Sequence, residues 1–225
     1  KALAREMVQI GTLAGRDLSA VISDMDQPLG YAVGNALEVK EAIATLNGNG
    51  PEDLRELVLV LTSLMVVKAG KAKDIREARI LLEETLDSGK ALQVMKEWIV
   101  AQGGTAEEVE HPDLLPQALC QEAVCAEKSG FVTKIHTEEI GRICMLLGGG
   151  RAKKGDPIDL SVGLVLRKKV GDPVHSGESL AILHANDREK LAEAKERLLK
   201  AYEIKKEPVA VRPLIWEILD GTEAE

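Results

Sequence analysis

Residues 23–41 hold the one stretch whose composition and spacing could do chemistry. Pro28, Gly30 and Gly34 punctuate a loop, and Glu41 stands a turn or two into the helix expected after it. Such a loop leaves backbone carbonyls free beside a helix N-terminus. Several carbonyls and one carboxylate make an all-oxygen donor set, which hard cations prefer. Mostly neutral donors favour a monovalent ion over a divalent one. A plain strand-to-helix connection explains the same residues. Periodicity alone favours that plainer reading, because Glu41 lies opposite the apolar stripe of Ala36, Val39, Ile43 and Leu46 and is therefore expected to be exposed.

Other candidates are weaker. Gly148-Gly149-Gly150-Arg151 with Lys153 and Lys154 could cradle a phosphate through backbone N–H groups. The run follows a helix, however, and lacks the Gly-Lys-Ser/Thr ending, so a glycine C-cap and turn is the better reading. His111, His136, His175 and His184 are scattered, with no Ser-His-Asp or Cys-His order. Cys120, Cys125 and Cys144 have no zinc spacing, and their odd count fits reduced thiols in a cytoplasm.

Composition narrows the partners. One Phe, two Tyr and two Trp in 225 residues leave little for stacking bases, and a net charge of −8 opposes a phosphate-backbone partner. Nucleic acid is therefore not expected. No apolar run approaches a membrane span, so no membrane partner is expected either.

The elements that must position the loop follow from spacing. Leu3, Met7, Ile10 and Leu13 predict a helix that Gly15 ends. Leu18–Ile22 predicts a strand buried on both faces, in a sheet expected to be parallel. Asn35 is expected to cap the helix 36–46. Pro51, Glu52 and Asp53 open a long helix to about Lys68, apolar nearly all round and expected to be buried. Helices are predicted over 74–86 and 90–101. Residues 1–104 thus read as a partial α/β domain, mostly helices plus a parallel strand.

Residues 105–117, with Pro112 and Pro116, read as a linker. Residues 118–225 change texture to α+β and antiparallel. Runs 121–126 and 131–136 predict a hairpin, 138–147 and 187–202 predict helices, 162–168 and 179–184 predict strands, and 208–218 predicts a closing extended segment. The pattern Gly163-x-Val165-x-x-Lys168-x-Val170-Gly171-Asp172 through Gly177-Glu178 and Leu183 resembles half of a barrel-sandwich (lipoyl/biotinyl-like) hairpin. Carrier domains bear their cofactor on a Lys of the next turn. Here that turn reads His184-Ala185-Asn186-Asp187, without a Lys.

The segment Ala20-Val21-Ile22-Ser23-Asp24-Met25-x-Gln27-Pro28-Leu29-Gly30-x-x-x-Gly34-Asn35-x-Leu37-Glu38-Val39 resembles the matching segment of the pyrimidine-nucleoside phosphorylase and thymidine phosphorylase family. The glycine run 148–150 and the barrel-sandwich-like hairpin are similar to that family's C-terminal domain. The resemblance covers nearly the whole chain and implies the C-terminal portion of such an enzyme. An opening at Lys1 without an initiator Met fits that expectation.

The resemblance also implies a potassium-type ion, bound through the carbonyls of Leu29 and Ala32 and the carboxylate of Glu41. The remaining ligands would come from a glycine-rich phosphate loop upstream. The implied reaction is phosphorolysis, in which phosphate displaces the base of a pyrimidine nucleoside to give free base and pentose 1-phosphate. The family's Lys-His-Ser-Thr-Gly-Gly and Ser-Gly-Arg motifs are absent from these residues. The segment alone is therefore expected to be inactive, with no catalytic or substrate-binding residue of its own. A homodimer is implied for the full-length enzyme, through a preceding helical domain. The alternative is a non-catalytic binding or carrier module built on the barrel-sandwich half.

Overall fold

A computed structural model describes residues 1–221. The chain runs α1 (Ala2–Leu13), β1 (Ser19–Ser23), β2 (Ala32–Val33), α2 (Asn35–Leu46), α3 (Glu52–Lys68), α4 (Ile75–Asp87), α5 (Lys90–Ala101) and α6 (Glu107–Glu110). After a 3-10 turn at Pro112–Leu114 come β3 (Cys120–Cys125), β4 (Gly130–Ile135), α7 (Thr137–Leu147), β5 (Gly163–Leu166), β6 (Pro173–Val174), β7 (Ser179–Ala185), α8 (Arg188–Ala201), β8 (Tyr202–Lys205) and β9 (Ile215–Asp220). The segment read as a linker therefore carries two short helical turns.

The strands form three sheets, ordered β1-β9, β2-β5-β7-β3 and β6-β4-β8, and every pairing among the described residues is antiparallel. This corrects two expectations. The strand after α1 pairs antiparallel with β9, from the far end of the chain, rather than lying in a parallel sheet. All five of its residues are only partly buried. A short apolar run specifies a strand, but its partner and direction are set by whichever distant segment covers its edge.

The predicted hairpin 121–136 is also absent. β3 pairs with β7, and β4 pairs with β6 and β8. Turn residues at 127–130 permit a hairpin, yet burial of Val124 and Val132 in one core is satisfied with their strands in separate sheets. No sheet closes into a barrel among the described residues.

The core sits in the second half. Val124, Val132, Ile135, Ile140, Ile143, Leu164, Leu183 and Leu198 are all buried there between sheets and helices α7 and α8. Local signals hold well in this half. Gly148 ends α7 in the left-handed conformation, and Asp187 caps α8 by accepting from the Glu189 and Lys190 N–H groups.

The first half packs more openly. Leu3, Met7, Ile10 and Leu13 of α1 face outward, with Leu13 88% exposed. The all-apolar α3 is not buried as expected: Met65 is 69% exposed, while Leu59 and Leu64 are covered. Spacing marks an apolar face but carries no information about what lies against it.

The halves meet at β2. Ala32 and Val33 pair with Val165 and Leu164, and the Leu166 N–H donates to the Tyr31 carbonyl at 2.8 Å. Two glycines allow this approach. A Cβ on Gly163 (φ +151°) would stand 2.2 Å from the Val33 carbonyl oxygen, and one on Gly34 (φ +138°) 2.5 Å from that of Val162. Both clashes are with backbone, so no side chain can yield. Gly163→Ala is expected to lower stability by about 1–3 kcal/mol in urea unfolding, the scale of local backbone strain. Its amide exchange should quicken first at the β2–β5 pairing.

Candidate functional site

The loop Gln27–Tyr31 is fixed from three directions. From below, Asp53 in the first turn of α3 accepts the Gly30 N–H through Oδ2 at 3.2 Å. From α2, Glu41 Oε1 accepts the N–H groups of Tyr31 and Ala32 at 2.9 and 3.0 Å. From the turn after β5, the Gln27 side chain accepts the Val170 N–H at 2.9 Å. Lys169 Nζ donates to the carbonyls of Pro28 and Gly30, the latter at 2.6 Å, and pairs with Asp53 Oδ2 at 3.0 Å. Its ammonium also lies 5.5 Å from the centre of the Tyr31 ring.

Local sequence explains the bend. Gly30 has φ +65°, and a Cβ there would fall 2.2 Å from Glu41 Oε2. Only glycine lets the chain turn this tightly against the carboxylate. The helix start differs from expectation. Gly34, not Asn35, is the N-cap residue, and its N–H donates to Glu38 Oε1 at 2.9 Å. The Asn35 side chain instead reaches across to the Gly149 carbonyl at 2.9 Å, tying α2 to the glycine run that follows α7.

Of the three predicted ligands, Ala32 meets Glu41 through its N–H. Ala32 is buried and hydrogen-bonded to Glu41, and Leu29 lies between the two residues whose carbonyls Lys169 holds. Glu41 itself is not the exposed residue that periodicity predicts, but is partly buried. The loop folds back over α2 and covers the face opposite the apolar stripe, and helical spacing cannot register such a fold-back. The contact from loop to carboxylate runs through amide N–H groups, with Oε2 left against the Gly30 backbone.

Electrostatics at Glu41 are unbalanced. Burial raises its pKa above the usual carboxylate value, more than the two N–H donors and the Lys169 ammonium lower it. Asp53 raises it further. The Lys169 ammonium pairs directly with Asp53 and lowers the Glu41 pKa only through space. Burial and the neighbouring carboxylates, Asp53 first, also raise the Tyr31 pKa. Beside Glu41 opens a groove of about 540 Å³, lined on one side by Lys40, Ala44 and Tyr31 and on the other by Val165 and Arg167.

The second oxygen of Glu41 takes no hydrogen bond among the described residues. No group of three or more His, Cys, Asp or Glu side chains stands ready for a metal ion among those residues, so any ion here would rely on backbone carbonyls.

The other candidates resolve as structure. Gly148–Gly150 closes α7 and receives Asn35. At the turn where a carrier would bear its lysine, Asn186 donates to Asp159 and Ser161 and accepts from the Leu119 N–H. Cys144 is buried, with its thiol pushed up to about 11 by desolvation, and is no nucleophile. Sequence reasoning missed Lys169 and Asp53. Neither has a local signature, because each meets the loop only through folding.

A family model for the pyrimidine nucleoside phosphorylase C-terminal domain matches residues 131–205, and one for the glycosyl transferase family a/b domain matches residues 1–92. Pyrimidine-nucleoside phosphorylase of Geobacillus stearothermophilus is 51% identical over 217 residues, which are 96% of this chain and 50% of the relative. That of Bacillus subtilis is 58% identical over 184 residues, 82% of this chain and 42% of the relative. The chain belongs to the pyrimidine-nucleoside phosphorylase family. It spans about half the length of the relatives it matches. The loop lies inside the a/b match, and β2 just after it pairs with β5 inside the C-terminal-domain match. No helix among the described residues is long and apolar enough to cross a membrane.

The raised Glu41 pKa gives a pH test. Folded Glu41 keeps its proton to higher pH than the unfolded chain does, so ionisation costs stability as pH rises through the carboxylate range. Glu41→Gln retains an acceptor for Tyr31 and Ala32 without the charge. Between about pH 4 and about pH 7 without small cations, wild type should lose stability relative to this variant, by at most about 1 kcal/mol given solvent screening. Urea unfolding at both pH values measures the difference.

Proposed function

We propose that this chain is the part of a pyrimidine-nucleoside phosphorylase that carries half of a monovalent-cation site. The parent enzyme would be a pentosyltransferase, converting pyrimidine nucleoside and phosphate to free base and pentose 1-phosphate. The observation that carries this reading is the loop 27–32, held against a half-buried carboxylate with one oxygen free of hydrogen bonds among the described residues, in a chain whose relatives are named pyrimidine-nucleoside phosphorylases.

In this reading Glu41 and the carbonyls of Leu29 and Ala32 hold potassium. The ion would supply a fixed positive charge between this loop and a phosphate-binding loop. The chain's own residues do the positioning. Glu41 fixes the backbone of Tyr31 and Ala32, Asp53 fixes Gly30, and the β2–β5 pairing seats the loop on the second half. None of these groups can protonate a leaving base or present phosphate. The 225 residues alone are therefore proposed to be inactive.

Several finer points belong to the same proposal. Residues 1–104 would complete an α/β domain, 105–117 would link it, and 118–225 would form the C-terminal domain. The paired β5 and β7 would correspond to a barrel-sandwich-like half. The full-length enzyme would be a cytoplasmic homodimer.

Two measurements test the reading. Incubation of the 225-residue chain with uridine or thymidine and phosphate should release no uracil or thymine above background; turnover would overturn the inactivity. Potassium chloride, compared with choline chloride at equal ionic strength, should stabilise wild type by under about 1 kcal/mol at ~0.1 M, as weak binding through three oxygens predicts. Glu41→Gln should show no such difference, and an equal response in both proteins would remove the ion from Glu41.

A further inference from the structure

Lys169 lies 141 residues from Pro28 in sequence, on the turn between β5 and β6, yet its ammonium is the group most deeply involved with the loop. Its side chain is only 12% exposed. Around it stand two backbone carbonyls, one carboxylate and the face of one aromatic ring, from Pro28, Gly30, Asp53 and Tyr31. That is close to a full shell for a cation, built from three separate parts of the chain. A lysine seldom surrenders so much water without good partners.

The backbone of this turn is fixed as well. The Lys169 N–H donates to Asp172 Oδ2 at 2.7 Å, and the Val170 N–H donates to Gln27. The ammonium is thus delivered from a rigid base. It grips the carbonyls on either side of Leu29, while Glu41 grips the N–H groups of the next two residues. Asp53 touches both systems, taking the Gly30 N–H and the ammonium on one oxygen.

We propose that Lys169 is a positioning residue for the cation loop: from the C-terminal domain it holds Pro28, Gly30 and Asp53 and so keeps Tyr31 and Ala32 registered against Glu41. The contact stands on this geometry alone, whereas its purpose rests on the cation reading given above. The C-terminal domain then contributes to the ion site without offering it a ligand.

The test uses the 225-residue chain and Lys169→Met, which keeps the length of the side chain and removes its charge and donors. Amide exchange and the Glu41 side-chain carboxyl are followed by NMR in choline chloride, without small cations. Exchange at Tyr31 and Ala32 should quicken about tenfold or more, the scale of one lost charged hydrogen bond, while Val132 and Ile135 in β4 stay as they were. The Glu41 carboxyl should titrate at higher pH, because a neighbouring positive charge is gone.

Unchanged exchange at Tyr31 and Ala32, or the same acceleration at β4, would overturn the proposal, since a merely structural lysine gives a uniform effect or none. If Lys169→Met does not fold, Lys169→Gln carries the same test: it keeps a donor but loses the charge, and unchanged amide exchange at Tyr31 and Ala32 overturns the proposal. A separate arm compares potassium with choline in wild type. A Glu41 carboxyl indifferent to potassium sinks the cation reading and leaves the Lys169 contact to be judged on the first arm.

Discussion

A tight backbone turn with no side chain at its apex can be held only by its own amides and carbonyls. That constraint governs the loop around Gly30. Its N–H groups need acceptors and its carbonyls need donors, and water cannot serve them where the loop packs over α2. The chain answers with two carboxylates on the amide side, Asp53 and Glu41, and one ammonium on the carbonyl side, Lys169. Glu41 is held half-buried by these contacts, and burial raises its pKa.

The same loop is the hinge of the architecture. β2 adds the first half of the chain to a sheet of the second half, through the close passage of Gly34 and Gly163. β9 returns from the far end to cover β1. Asn35 reaches Gly149, and Gln27 reaches Val170. The two family segments are therefore joined by polar and backbone contacts at the site itself, while the apolar core remains in the second half.

Family membership and chemistry rest on different supports. The first follows from the extent of similarity to relatives, over most of this chain but about half of theirs. The second is a proposal, because the chain spans about half the length of the relatives whose names carry the reaction. What the geometry contributes is narrower: a loop pinned by Glu41, Asp53 and Lys169 where β2 of one family segment pairs with β5 of the other.

Much of this was legible in the sequence. Proline and glycine spacing located the loop, Gly148 stopped α7, Asp187 started α8, and the apolar stripes marked the helices, because capping, turn formation and amphipathic spacing are local. Direction of β1, the partners of β3 and β4, and the exposure of α1 and α3 were not legible. Each depends on which remote segment arrives at an edge or a face. The site divides in the same way. Sequence alone determined which residues bend and which carry oxygen, whereas the burial of Glu41 and the arrival of Lys169 and Asp53 were decided by tertiary structure. Desolvation and charge pairing act through space, over distances that chain separation does not encode.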